Sequence, residues 1–311
     1  MSKAYEEVKD PVPSYDLLHL NNYQKRCFFI NPDPVVIMAS ILRDLTILLE
    51  KYNCKGNSMF YYTQKSKLFY KIEEQIASLQ SKGFLKSNDG RRWLRTDEER
   101  LSFFINLHNF LVLFGLCKYK RMKIPNTQLE WTKFRKSLLV KIAGYTFSAF
   151  EIEHAVLRAS MDSPNLPSPY LDTEMIYPKF KSNDPRLNLV SKRKEGFLEF
   201  ALYIPTKSSP PLRIYKADKV VRQIKLNVEK YIVKNVKVNQ SKGTLLLPAL
   251  FKWYSTDFTK GDDAEDLLLS ITNLLISSES KKLKNILVTS AIKEVKYDKY
   301  NWNYFYEYLA D

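Results

Sequence analysis

The chain has 311 residues, 45% of them hydrophobic, and carries 49 Lys+Arg against 34 Asp+Glu for a formal charge of +15. That composition belongs to a globular chain with a sizeable core, arranged as one large domain or two ordinary ones, and excludes disorder over most of the length. Eight Gly, three Cys and no long heptad run also exclude a collagen, a disulfide scaffold and a coiled coil.

No transmembrane segment is expected, since no uninterrupted run of 18 apolar residues occurs. Cys27, Cys54 and Cys117 are widely spaced without a CxxC pair, as in a protein kept in a reducing compartment. With His19, His108 and His154 as the only histidines they form no zinc pattern, and no metal or cofactor is expected. The first residues, MSKAYEEVKDP, lack the apolar stretch of a secretory signal. An intracellular location is therefore the expectation.

Residues 1–33 read as a polar, proline-punctuated extension in which YQKRCFFI (23–30) is a short strand or docked segment. A helix is predicted from Pro34 to about Tyr52, with Asp33 as N-cap and Pro34 at the first helical position. A second helix is predicted over 65–82, ending at Gly83. Thr96 and Glu99 form a capping box that opens a third, from Leu101 to Tyr119, apolar on all sides and therefore central. Asn106, His108 and Asn109 interrupt it and require partners in the interior. His19 and His108 are nevertheless read as surface or incidental histidines.

A hairpin through Gly144 is predicted over 141–147, then a second capping box, Ser148 with Glu151. MDSPNLPSPYLD (161–172) and 181–196 read as surface loops. FLEFALYI (197–204) reads as a buried strand, and three prolines make 205–212 irregular. Helices are predicted over 218–233 and 262–277, with a turn and short strand between them and an aromatic segment at the end. The fold expected is α+β: one helix-rich domain over 34–303 with a small, mostly antiparallel sheet, followed by a tail at 304–311.

Basic residues are unevenly placed. Between Lys118 and Lys141, eight of them (Lys118, Lys120, Arg121, Lys123, Lys133, Arg135, Lys136 and Lys141) face one acid, Glu130. Such a run is either a solvated face or a docking surface for something acidic: nucleic acid, an anionic lipid surface, or an acidic protein such as tubulin. Trp131 and Phe134, three residues apart, are read as the core side of a helix.

Several blocks, in order, resemble the family called domain of unknown function 547: RLSFFINLHNFLVL (100–113), YTFSAFEIEHAVLR (145–158), DPR (184–186), LEFALYIPTKSSPPLRIY (198–215), LPALFKWYSTDF (247–258) and VKYDKYNW (295–302). The resemblance extends over about 34–303. Some members of that family carry Cys where this chain has Ser209. Glu199 and Pro205 also depart from the family pattern, and 187–197 resembles an insertion.

The motif residues suggest a polar cluster of Asn106, Asn109, Glu153, His154, Arg158, Arg186, Ser208, Ser209 and Arg213. One reading is a hydrolase or acyl-transferase with Ser209 as nucleophile, His154 as base and Asn106 as orienter. Ser209 lacks a nucleophile-elbow context. The favoured reading is a buried network that fixes the core, in which His154 holds a backbone carbonyl, the asparagines cap loop backbone and Arg158 pairs with an acid. The function expected is accordingly a non-catalytic structural or scaffolding subunit of an intracellular assembly, such as one on ciliary microtubules, with RNA or membrane-surface binding through 118–141 as the alternative.

Overall fold

The structure, a computed structural model, describes residues 16–20, 33–52, 59–81, 85, 92–119, 123–165, 177–259 and 264–309. Among these, the fold is helix-rich α+β, with two small three-stranded sheets instead of one. The expected strand or docked segment at 23–30, Gly83 and the cations Lys120 and Arg121 lie outside the described residues.

Helix α1 (Pro34–Tyr52) starts where predicted: Asp33 Oδ1 accepts the Val35 N–H at 2.8 Å. The second predicted helix is α3 (Lys67–Ser78), opened by the Ser66 side chain, and a short helix that was not predicted, α2 (Met59–Gln64), precedes it. Helix α4 (Asp97–Lys118) packs against α1, α2 and residues 152–157, and every residue from Leu101 to Cys117 is buried. Thr96 caps it, while Glu99 reaches one residue further back than the usual box, to the Arg95 N–H at 2.6 Å. α4 is long and apolar enough to cross a membrane, but it is enclosed on all sides by protein, as the core helix of a globular fold is. Gly115 permits its close approach to the neighbouring strand: a Cβ there would meet Leu138 at 2.5 Å.

Helix α5 (Gln128–Ser137) buries Trp131 and Phe134 as expected. Strands β2 (Leu138–Ile142) and β3 (Tyr145–Ser148) form the predicted hairpin, with Ala143 and Gly144 both at positive φ, and β1 (Leu18–His19) adds to β2 in parallel. Ser148 opens the short helix α6 (Ala149–Glu151) through a complete capping box. The chain then passes into a π-helical turn over Ile152–Leu157.

The predicted strand at 197–204 is not one. Leu198–Phe200 is a 3-10 turn and the rest is irregular, although Leu198 to Tyr203 are all buried. Side-chain amides, not a neighbouring strand, satisfy this backbone: Asn109 Nδ2 donates to Ala201 O and its Oδ1 accepts Tyr203 N–H, while Asn227 Nδ2 donates to Phe200 O. Helix α7 (Val220–Asn235) comes next, then β4 (Lys237–Asn239) and β5 (Thr244–Leu247). Two short helices, α8 (Ala249–Trp253) and α9 (Ser255–Phe258), precede α10 (Ala264–Leu274) and α11 (Lys281–Thr289). β6 (Glu294–Tyr297) closes the second sheet in parallel with β5.

Residues 298–309 are not a loose tail. They run back over 203–212, bridging Thr206 to Tyr304 and Leu212 to Tyr308, and the Leu212 N–H donates to Glu307 O at 3.0 Å.

Candidate functional site

Two asparagines of α4 anchor the segments around the site. Asn106 donates to Tyr215 O at 2.8 Å and accepts the Tyr215 N–H at 2.9 Å, so one side chain does for that residue what a paired strand would. Asn109 does the same between Ala201 and Tyr203. These are the loop-capping roles expected for them. Asn106→Leu strands one buried donor and one buried acceptor and should destabilise the fold by about 2–4 kcal/mol. Denaturant titration checks this, and a loss under about 0.5 kcal/mol would show that the 215 region does not depend on α4.

His108, expected at the surface, is fully buried. Its Nδ1 lies 3.1 Å from Asn109 Oδ1, and its Nε2 stands 3.5 Å from Glu153 Oε2, close to the carboxylate but outside good hydrogen-bond geometry. Glu153 is the hub of this region. On the π-helical turn, its carboxylate takes Arg135 Nη1 from α5 and lies 3.1 Å from His154 Nε2. Burial is the largest single influence and opposes its charge, but Arg135 and the two histidines together outweigh it, so the carboxyl is held well below the usual range. His154 meets this carboxylate instead of the backbone carbonyl expected for it. Packed between Phe150 and Tyr177, with centroids 4.4 and 4.6 Å away, it has its pKa pushed down to about 3 by burial. It is a neutral imidazole at pH 7.

Arg158 ends the π turn, its N–H donating to Glu153 O at 2.9 Å. The expected acid partner is in fact two. Its guanidinium grips Asp257 with both terminal nitrogens (2.5 and 3.0 Å), reaches Glu199 at 3.1 Å and donates to Asp162 O at 2.9 Å. It also lies over the Tyr254 ring, 4.8 Å from the centroid. The pKa of Glu199 is raised to about 8, first by burial and then by the Glu153 charge. Charge counting explains this. Arg135 and Arg158 supply two positive charges and Glu153 and Asp257 two negative, so ionising Glu199 would leave an uncompensated charge at a buried position.

Beside this double cluster opens a cleft of about 490 Å3, counting the solvent at its mouth. Arg135, Glu153, Glu199 and Ser209 line it together with Trp253, Tyr300 and Trp302, of which Trp253 stacks on both Tyr300 and Trp302. Ser209 Oγ accepts the Ile204 N–H at 3.3 Å, and the Tyr300 phenol lies 2.9 Å from Thr206 Oγ1. His154 borders a separate recess with Arg158, Met161 and Tyr177. Among the described residues, no hydrogen bond joins His154 to Ser209. Ser208 holds the returning segment, its Oγ accepting the Asn301 N–H at 2.9 Å.

Other expected members lie elsewhere. Arg186 is half-buried near the hairpin, paired with Asp184 and Glu151 and stacked 4.1 Å over Phe180. Arg213 is buried outside the cleft lining. The cationic run 118–141 does not form one face: Arg135 is in the core, Lys118 pairs with Glu73 at 2.5 Å, and Lys136 sits 5.0 Å from the Phe150 ring centroid. Lys123 and Lys141 are exposed and Lys133 is half-buried. Cys117 is buried, and burial raises its thiol pKa far out of the reactive range. Among the described residues, no group of three His, Cys, Asp or Glu side chains is placed to hold a metal ion.

Sequence reasoning missed Asn227, the burial of His108, and Asp257, although Asp257 stands in the quoted WYSTDF block. Residues 92–232 match the family model described as "Protein of unknown function, DUF547". The chain carries a DUF547 domain. The match is narrower than the sequence resemblance. It holds α4, the π-helical turn, Glu199 and the SSPP segment but not Asp257, Trp253 or Tyr300, so the DUF547 domain receives one carboxylate and the aromatic wall of its cleft from residues beyond the match. No curated protein and no solved structure matches the chain.

Proposed function

We propose that this protein is a non-catalytic scaffold that docks an acidic partner through its basic exterior, with the polar cluster serving to fix its shape. The observation that carries this reading is how the cluster is used. Asn106, Asn109, Arg135, Glu153 and Arg158 are each engaged by backbone or by an opposite charge, and the imidazole and hydroxyl that an enzyme would couple border different recesses. Burial also sharpens the surface charge. Among the described residues, six acids are buried (Glu130, Glu153, Glu195, Glu199, Glu229 and Asp257) against three bases (Arg135, Arg158 and Arg213). The exterior is therefore more positive than the sequence total suggests.

Microtubules present a strongly acidic protein surface and are the first partner to test; a ciliary scaffold is the setting this favours. Co-sedimentation should show binding at low ionic strength that weakens as salt rises toward and past physiological levels. Absence of binding at low salt, or binding indifferent to salt, overturns the electrostatic reading. Covalent labelling by a serine-directed probe that disappears in Ser209→Ala would overturn the non-catalytic one.

A further inference from the structure

We infer that the docking surface is the outer face of α7, and that its ligand is an extended acidic polypeptide bearing aliphatic side chains. This rests on the scaffold reading above and assigns it a place on the molecule. Between Lys216 and Lys242 there are eight Lys/Arg and two acids, Asp218 and Glu229. Arg222, Leu226, Lys230 and Val233 recur at helical spacing on one stripe, flanked by Lys219 and Lys225. The four cations of this face are exposed, and Lys219, Arg222 and Lys230 have no ion-pair partner among the described residues.

Glu229, the one acid within the helix, does not offset them. It turns inward and accepts Ile276 N–H, Ser277 N–H and the Ser280 hydroxyl, at 2.7, 2.7 and 2.6 Å. That contact presents Ile276 to solvent, 72% exposed, beside α7. A groove of about 1000 Å3, counting the solvent it opens to, runs there between Ile276, Val221 and Leu226, with Lys219, Arg222 and Lys225 along it. Glu98 and Asp218 stand on its rim, and Glu98 is paired with Arg193 at 3.3 Å.

An acidic polypeptide suits this surface best. α7 is about 24 Å long, the span of roughly seven residues of extended chain. The apolar residues are aliphatic and few, which gives an inserting membrane little purchase. Among the residues that line the groove none is aromatic, so nucleotide bases have nothing to stack on.

The test uses a fluorescent twelve-residue peptide of Glu with two Leu anchors, read by anisotropy against the full chain. The triple variant Lys219→Gln, Arg222→Gln, Lys225→Gln should weaken binding at least tenfold, and Ile276→Ser several-fold. Lys123→Glu with Lys133→Glu should leave it unchanged. Equal binding by the triple variant, or tighter binding of phosphatidylserine vesicles or single-stranded RNA than of the peptide, overturns the assignment. Microtubule binding kept by the triple variant would refute this surface and leave the scaffold reading standing, whereas wild-type protein that binds neither peptide nor microtubules would refute both.

Discussion

Replacing Arg158 with methionine is expected to cost about 3–5 kcal/mol, because it removes the guanidinium paired with the buried Asp257 carboxylate and hydrogen-bonded to the Glu199 carboxyl. The guanidinium makes two contacts to Asp257 and one to Glu199, and both acids are buried. Methionine keeps most of the packing over Tyr254, so the loss reports on charge, not volume. Against total stabilities of roughly 5–15 kcal/mol, such a loss leaves a marginal fold. The double variant Arg158→Met with Asp257→Asn should recover part of it, and the coupling measured in a double-mutant cycle should exceed about 1 kcal/mol. Denaturant midpoints within about 0.5 kcal/mol of wild type for the single variant would mean that the cluster is open to water and that its geometry does not govern stability.

The second large effect is a stability profile with opposed limbs. His154 has its folded pKa near 3 against an ordinary 6.5. From pH 6.5 down to about 3 the unfolded chain therefore binds a proton that the folded chain refuses, and acid removes about 1.4 kcal/mol per pH unit. Glu199 acts the other way. Its folded pKa is near 8 against an ordinary 4.5, so from pH 4.5 up to about 8 the folded chain holds a proton that the unfolded chain has released. Its contribution is complete below pH 4.5 and lost at the same slope as pH rises through that window. Between pH 4.5 and 6.5 the two slopes cancel. These two groups thus give a plateau there, a fall above pH 6.5 and a fall below pH 4.5. Glu199→Gln should abolish the alkaline limb, while His154→Gln should remove the histidine's share of the acid limb, leave that of the depressed Glu153 carboxyl, and extend the decline down to pH 4.5. Parallel curves for wild type and Glu199→Gln between pH 6.5 and 8.5, in chemical denaturation at fixed salt, would refute the protonated carboxyl.

How much the residues disclose in advance depends on the range of the interaction. Thr96, Ser148 and Asp33 act within four residues of themselves, and all three cap as predicted. The uniform burial of α4 is equally plain, since no face of Leu101–Cys117 is polar enough for solvent. The strand expected at 197–204 failed for a long-range reason. Buried apolar residues in a row imply a sheet only if backbone partners are other strands, and here they are Asn109 and Asn227, distant in sequence by up to 94 positions. His108 and Arg135 were misplaced on the same ground. A histidine in an apolar run and an arginine in a basic run show nothing locally of the glutamate that pairs with the arginine and stands beside the histidine. The SSPP and IEH segments were recognisable as motifs, but that they face different recesses depends on how the chain folds between them.

The π-helical turn at Ile152–Leu157 has a further consequence. In a regular α-helix, residues five apart point about 140° away from each other. The wider turn instead hydrogen-bonds the backbone of Arg158 to that of Glu153 and sets their two ion clusters side by side. Tightening this stretch to ordinary α pitch at its present length would swing the arginine away from its acids. Loss of one residue between Glu153 and Arg158 would instead leave the two four apart, about 40° from each other on one helix face. The turn therefore holds one residue more than an α-helix needs, and its pitch and its length are matched to each other.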